Sequence, residues 1–164
     1  MTLRIVPLEE GHVPSLRECL DVVARENRYL ALLEAPPLEA SRAFLLGMKA
    51  RGAIQLVALE GERVVGWVDI APFELPTYAH RGKLGMGVLP EHRGQGLGKR
   101  LFQACLDAAW AKGLTRIELE VRADNLRAKR LYERFGFRDE GVLRNAMRFE
   151  GQYFDCFTMS LLKP

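Results

Sequence analysis

A glycine-rich loop between an apolar run and a helical pattern constrains this chain more than any other feature. Residues 84–89 are apolar and predict the end of a buried strand. The loop 91–98 follows, and apolar residues then recur at helical spacing. Glycines at alternate positions (Gly94, Gly96 and Gly98) allow the backbone to approach a ligand closely. Because the first amides of a helix lack helical partners and lie at its positive end, the segment predicts a phosphate- or pyrophosphate-binding loop.

The spacing within the loop excludes two common nucleotide-binding motifs. A Walker A loop ends in Gly-Lys-Ser or Gly-Lys-Thr, but Gly98-Lys99 is followed by Arg100, and Arg93 occupies the position of the first glycine. A Rossmann fingerprint needs a third glycine, and the corresponding positions hold Lys99 and Leu101. The phosphate-bearing ligand therefore belongs to another class.

The loop Arg93-Gly94-Gln95-Gly96-Leu97-Gly98 resembles the Q/R-x-x-G-x-G/A motif of the GNAT acyltransferase superfamily. Residues 125–137 are similar to a second GNAT segment, N-x-x-A-x-x-x-Y-x-x-x-G-F, and follow Gly98 after 27 positions. The resemblance covers about residues 54–162 and implies acetyl-coenzyme A as co-substrate, with its pyrophosphate on the loop amides. The cofactor-binding residues that it implies are Val88, Arg93, Gly94, Gln95, Gly96, Leu97, Gly98, Lys99, Asn125 and Tyr132.

The resemblance also implies a reaction, the transfer of an acetyl group from the thioester to an amine by direct attack in a ternary complex. It points to the backbone N–H of Val88 as the donor to the thioester oxygen and to Tyr132 as the general acid. A phenol, with an ordinary pKa near 10, suits protonation of a departing thiolate. Asn125 is implied to lie near the pantetheine or an ordered water, and its residue type also predicts a helix cap.

The general base and the acceptor are less determined by the sequence. Glu26, Glu74, Tyr78 and His80 lie in segments expected to border the acceptor pocket, and a water chain is a further possibility. Glu26 is included among the predicted catalytic residues. The stretch 144–155 resembles the GNAT branch that acetylates amino acids and other small amines. Acetylation of peptide N-termini or lysines, and non-catalytic binding of acyl-coenzyme A as a sensor, are the alternatives.

The periodicity along the chain predicts the order β-α-α-β-β-β-α-β-α-β-β. The resemblance implies an α/β (α+β) GNAT fold in one domain, residues 1–164: a central mixed, mostly antiparallel twisted sheet of about seven strands flanked by four helices. We expect a helix over 38–51 with Phe44, Leu45 and Met48 on its buried side. The last two strands are predicted at 137–143 and 153–161, with 144–152 as a long connection. Residues 153–161 are predicted to be an edge strand that a homodimer covers.

The composition limits the partners and the cellular compartment that we expect for the protein. A formal net charge of +3 does not favour a nucleic-acid partner, and no apolar run is long enough to predict a membrane span. The start of the chain lacks the pattern of a signal peptide. Three widely spaced cysteines in apolar patterns predict reduced thiols in a cytoplasmic protein, and no metal site is expected.

Overall fold

In a computed structural model that describes residues 2–164, one sheet of seven strands carries four α-helices. The strands are β1 (Leu3–Pro7), β2 (Ile54–Glu60), β3 (Arg63–Pro72), β4 (Arg81–Val88), β5 (Arg116–Arg122), β6 (Arg138–Phe149) and β7 (Gln152–Leu162). The helices are α1 (Val13–Ala24), α2 (Leu38–Ala50), α3 (Leu97–Ala111) and α4 (Leu126–Arg134). The predicted order of elements and the mixed fold class are confirmed.

The sheet order is β1-β2-β3-β4-β5-β7-β6, and every neighbouring pair is antiparallel except β4 and β5. These two parallel strands pair only where Arg81–Lys83 meets Arg116–Glu118. Beyond Lys83, β4 has no strand partner on its β5 side within residues 2–164, although β5 remains paired with β7. The second half of β4 therefore borders a gap in the sheet.

The side chains of β3 alternate between two layers of the molecule. A Cβ at Gly66 would lie 3.1 Å from the Leu101 side chain, so that face is covered by α3. Trp67 and Asp69 point to the opposite face, where α1 and α2 pack. The two faces of β3 thus lie against different helices, α3 on one side and α1 and α2 on the other.

The C-terminal hairpin differs from its prediction. β6 continues to Phe149, and only Glu150-Gly151 separates it from β7, so the expected connection over 144–152 is wrong. The register shifts between Leu143 and Met147, and Asn145 has a φ of 50°. This bulge breaks the alternation by which a strand is recognised in sequence.

The edge strand and one core residue are also corrected. β7 lies between β5 and β6, so the edge strand of the sheet is β6 and not residues 153–161. Phe44 is 65% exposed, because α2 turns it outward while Met48 is buried. The strand that residues 84–89 were predicted to end is β4, which starts at Arg81 after the short 3-10 turn Pro76–Tyr78.

Among residues 2–164, no helix is long and apolar enough to cross a membrane. The side chains of Cys19, Cys105 and Cys156 are buried and unpaired by disulfides. Burial raises the pKa of the Cys19 thiol to about 12, so it is not a nucleophile near neutral pH.

Candidate active site

The glycine loop has the geometry of an anion cradle. Gly94 and Gly96 adopt left-handed conformations with φ of 74° and 82°, and Gly96 is the residue at which α3 begins. The amide of Arg100 donates to the Gly96 carbonyl at 3.1 Å, closing the first turn of the helix. The amides of the preceding residues lie at the unpaired, positive end of α3. The Gln95 side chain braces the loop by donating to the Glu91 carbonyl at 3.0 Å.

The backbone of Val88 points into the gap beside β4. Leu89 donates its amide to the Val65 carbonyl at 2.9 Å, which makes Leu89 and Val65 a hydrogen-bonded pair. In an antiparallel ladder such pairs alternate, so Val88 and its partner Gly66 form a non-hydrogen-bonded pair. The Val88 N–H and C=O therefore face away from β3, towards the gap. The carbonyl accepts from Arg93 Nε at 2.9 Å, which leaves the N–H as a free donor there.

Arg93 is held by an ion pair. Its two terminal nitrogens donate to the Glu26 carboxylate at 2.9 and 2.6 Å, and its guanidinium lies over the Tyr29 ring at 4.8 Å. The hydrogen bonds to Glu26 raise the pKa of Arg93 above its usual range. Arg93 thereby connects Glu26, two residues after the end of α1, to the carbonyl of Val88. The contacts of Glu26 favour a structural role over proton transfer, because both carboxylate oxygens accept from the guanidinium.

Tyr132 and Asn125 stand on the α3 side of the sheet. The Tyr132 ring is packed beside Phe102 and Phe137, with centroids at 5.4 and 6.1 Å, and burial raises the pKa of its phenol to about 12. Asn125 caps α4, since its side-chain oxygen accepts from the Ala128 amide at 3.3 Å. The predicted cap is confirmed. The catalytic role of either residue stays a prediction.

The other base candidates are not brought to Val88. Glu74 pairs with Arg51 at 3.2 Å, and the Tyr78 ring lies under the Arg81 guanidinium at 4.6 Å. These residues and the exposed His80 precede β4, whereas Val88 ends it. Eight extended residues place the two ends of the strand about 23 Å apart. Whether this segment borders the acceptor pocket stays a prediction.

The side chain of His92 is buried, with Nε2 lying 3.5 Å from a carboxylate oxygen of Glu60. Lys99, by contrast, is exposed on the first turn of α3. It thus remains accessible to a ligand.

Asp69 is a functional candidate that the sequence interpretation missed. It lies on β3 opposite Gly85 of β4 and lines a cavity of about 180 Å³ on the α1 and α2 side. Burial raises the pKa of Asp69 to about 7, and no hydrogen bond or neighbouring charge offsets that effect. The available signal was a single carboxylate inside the otherwise apolar strand Arg63–Pro72. Strongly perturbed carboxylates in a cavity are typical of functional sites.

Comparison with known proteins agrees with the topology and identifies the family. A model of the acetyltransferase (GNAT) family matches residues 18–137. The chain belongs to the GNAT acetyltransferase family. It is thus an acyl-coenzyme A-dependent N-acetyltransferase by family, as the resemblance implied.

Individual relatives of this GNAT acetyltransferase cover two thirds or more of its length. A phosphinothricin N-acetyltransferase of Streptomyces coelicolor is 31% identical over 157 residues, covering 93% of this chain and 92% of the relative. The L-amino acid N-acetyltransferase AaaT of Escherichia coli is 30% identical, covering 68% and 70% of the two chains. A GNAT-family acetyltransferase structure from Streptococcus pneumoniae has a TM-score of 0.91 at 25% identity, covering 99% of this chain and 100% of that one.

A structure solved with acetyl-coenzyme A has the same fold. It is a phosphinothricin acetyltransferase from Sinorhizobium meliloti, with a TM-score of 0.91 at 18% identity, covering 99% of this chain and 89% of that one. Among residues 2–164 of this chain, no group of three or more His, Cys, Asp or Glu side chains is arranged to hold a metal ion.

Proposed function

We propose that this GNAT acetyltransferase moves an acetyl group from acetyl-coenzyme A to a primary amine of a small molecule such as an amino acid. The observation that carries the proposal is the free N–H of Val88 at an open strand edge next to the glycine loop. A thioester laid along this edge would place its carbonyl oxygen at a donor that is already oriented. Such preorganised donors stabilise the charge that develops in acyl transfer.

The loop and the strand edge fit the two ends of acetyl-coenzyme A. The pyrophosphate would be held by the amides of residues 94–99 with Lys99 close by, and the unpaired edge of β4 can accept the amide-bearing pantetheine arm as an added strand. The Sinorhizobium meliloti relative, whose structure is described as a complex with AcCoA, supports this choice of co-substrate through its fold. No metal is needed by any of these contacts.

We assign the following roles to the predicted site residues. Val88 polarises the thioester, and Tyr132 donates its phenolic proton to the departing thiolate, for which the buried, protonated phenol is suited. Asn125 caps α4 and so fixes the helix that carries Tyr132. Glu26 is a positioning residue, because it holds Arg93 on the Val88 carbonyl and thereby orients the Val88 amide.

The acceptor class is proposed from the relatives and from the size of the cavity. The named substrates of two relatives are phosphinothricin and L-amino acids. The cavity of about 180 Å³ between the α1/α2 layer and β3 is below the usual volume of drug-sized ligand pockets, roughly 300 Å³ and above, so it suits a small molecule better than a peptide. We further propose that residues 1–164 act as one domain, as a cytoplasmic homodimer.

The deciding experiment is a thiol-release assay with acetyl-coenzyme A and a panel of L-amino acids, amino-acid amides, polyamines and peptides. Mass spectrometry of the products identifies the acetylated amine. We expect turnover with small primary amines and none with peptides. Binding of acetyl-coenzyme A with no turnover on any amine would favour the sensor alternative, and turnover restricted to peptides would contradict the small-molecule assignment.

A further inference from the structure

We propose that Trp67 limits the length of the acyl group that this protein transfers, so that acetyl groups are accepted and chains of four or more carbons are excluded. This inference rests on the proposed function and specifies its acyl donor. Trp67 is a specificity-determining residue and takes no part in making or breaking bonds.

The Trp67 ring occupies the place where a side chain at position 87 of β4 would stand. Trp67 and Gly87 are partners across β3 and β4, so the two positions point to the same face of the sheet, the one on which α1 and α2 pack. A Cβ at Gly87 would collide with the six-membered ring of the indole, whose Cζ2 atom would be 2.8 Å away. Gly87 thus permits the close approach of the indole to the β4 backbone.

Two glycines bring side chains of β3 next to the end of β4. The residues of β4 nearest to Val88 on the α1 and α2 face are Gly85 and Gly87. The place above Gly85 is taken by the Asp69 carboxylate, with an oxygen 3.6 Å from where a Cβ would stand. The place above Gly87 is taken by the Trp67 ring, which is 7% exposed and held by its packing. On this face the wall beside Val88 is therefore the indole.

The ring lies next to the predicted position of the thioester. The Val88 nitrogen, whose N–H is the predicted donor, is two bonds from the Gly87 Cα against which the ring packs. A thioester oxygen that accepts from this N–H at about 3 Å places the thioester carbon about 4 Å from the Val88 nitrogen. The reacting carbon and the indole therefore flank the same peptide unit.

The acyl chain points to the face on which Trp67 stands. The carbonyl carbon of a thioester is planar, so its oxygen, its sulfur and its acyl carbon point in three different directions. With the oxygen on the Val88 N–H, the sulfur faces the α3 side, where Tyr132 packs beside Phe102. The remaining direction leads to the α1 and α2 side, towards the Trp67 ring.

A chain longer than acetyl meets the indole. Acetyl ends in one methyl group, whereas butyryl adds two methylenes in the direction of the ring. A close-packed indole does not make room for them without strain. Because one methylene in a fixed pocket changes kcat/KM by about 10- to 200-fold, we expect the unmodified protein to prefer acetyl- over butyryl-coenzyme A by about 100-fold.

Competition between the two donors tests this limit. The protein is given equal concentrations of acetyl- and butyryl-coenzyme A with an amine that it acetylates, and mass spectrometry measures the ratio of the two acylated products. This ratio equals the ratio of the two kcat/KM values and does not depend on the fraction of protein that is folded. Trp67→Leu should lower the preference for acetyl by about tenfold or more, and Trp67→Phe should lower it less.

Trp110→Leu is the matched control for the competition experiment. This other tryptophan of the chain lies near the C-terminal end of α3, about 20 Å along the helix from the glycine loop. The control should leave the ratio of the two products unchanged.

Binding provides a readout that does not depend on turnover. Calorimetry on the whole chain, without an amine, measures the affinities for acetyl- and butyryl-coenzyme A. We expect Trp67→Leu to strengthen the binding of butyryl- relative to acetyl-coenzyme A by about fivefold or more, because two methylenes become buried. Trp110→Leu should leave the relative affinity unchanged. Melting curves identify the folded variants, and Trp67→Phe takes the place of Trp67→Leu in both measurements if the latter does not fold.

The outcomes separate this inference from the proposed function. Equal transfer of butyryl and acetyl groups by the unmodified protein, or an unchanged product ratio in a folded Trp67 variant, overturns the role of Trp67 and leaves the proposed function standing. If no amine is acylated, the proposed function fails, and calorimetry alone decides about Trp67. A gain in relative affinity for butyryl-coenzyme A that is specific to the Trp67 variants then supports the inference, and an unchanged relative affinity overturns it.

Discussion

Asp69 and Tyr132 lie on opposite faces of the sheet, and burial acts on both acids in the same direction. It raises the pKa of Asp69 to about 7 and that of Tyr132 to about 12. Near neutral pH a fraction of Asp69 is ionised and can accept a proton, whereas Tyr132 is fully protonated and can donate one. A proton acceptor and a proton donor therefore lie on opposite faces of the sheet.

Asp69→Asn should stabilise the fold at alkaline pH. The pKa of Asp69 rises from 3.8 to about 7 on folding, so its contribution to stability is lost as pH rises from about 4 through 7. Arg17 lines the same cavity and Cys105 lies on the other side of the sheet, while the strand neighbours of Asp69, Gln55 and Gly85, are uncharged. We expect the variant to gain up to about 4 kcal/mol in unfolding free energy at pH 8 and little at pH 4.

Denaturant melts of the unmodified protein and Asp69→Asn at both pH values measure this difference. Asp107→Asn is the control, because Asp107 is an exposed carboxylate. Its effect on the unfolding free energy should be the same at both pH values. An equal effect of Asp69→Asn at pH 4 and pH 8 would contradict a buried carboxylate that ionises near pH 7.

Tyr132→Phe should lower kcat by about 100-fold while leaving the fold intact. The change removes only the hydroxyl, and the ring contacts with Phe102 and Phe137 are retained. Because the proton transfer matters only in the transition state, kcat and kcat/KM should fall together. Single-turnover measurements are required, since slow product release would hide the effect. An unchanged single-turnover rate in a folded variant would show that Tyr132 packs in the core and is not the general acid.

Gly96→Val should abolish binding of coenzyme A. The glycine has a φ of 82°, a conformation that a β-branched residue resists, and a side chain there would also obstruct the approach of the pyrophosphate to the loop amides. Gly113→Val is a matched control, because Gly113 has a φ of 95° and likewise no atom within 4 Å of a new Cβ, but lies beyond the other end of α3. Calorimetry should show binding by the control alone. Equal affinities of the two variants for coenzyme A would contradict the assignment of the glycine loop as the pyrophosphate-binding site.

At the scale of elements, an ion pair joins the end of α1 to the end of β4. Glu26 binds Arg93, and Arg93 binds the Val88 carbonyl, so α1 is connected to the predicted oxyanion donor. Sequence reasoning placed Glu26 at the site but could not supply this link, because the partners are 67 positions apart in the chain. The strand, loop and helix around Gly96 were predictable, since their signals are local.

Glu26→Gln distinguishes positioning from proton transfer. Loss of the charge leaves Arg93 less firmly held, so we expect kcat/KM to fall about tenfold and stability to fall by about 1–3 kcal/mol. The pH dependence of kcat/KM should keep its shape, because the proton acceptor is elsewhere. If the acid limb of the pH profile disappeared in this variant, Glu26 would be the base after all.

At the scale of the whole molecule, the order of the elements followed from periodicity and the arrangement of the sheet did not. Apolar alternation identifies strands one at a time, but strand order depends on contacts between distant segments. For this reason β7 was mistaken for the edge. Asp69 was missed for a related reason, since its significance depends on α1, α2 and β4 enclosing it. The bulge at Asn145 hid the length of β6 by interrupting its pattern.

The homodimer remains a prediction, and the structure changes where it should form. The edge strand β6 carries exposed Val142 and Leu143, 52% and 43% accessible, and Tyr153 of β7 is 56% accessible. A long edge with apolar side chains is a liability that a second copy can cover. We therefore expect light scattering at micromolar concentration to give twice the chain mass of 18.5 kDa.

Val142→Lys should shift the mass to that of one chain, because it places two charges in the interface. Leu162→Lys makes the same change at an exposed position at the end of β7 and should leave the dimer intact. A single-chain mass for the unmodified protein would contradict the prediction.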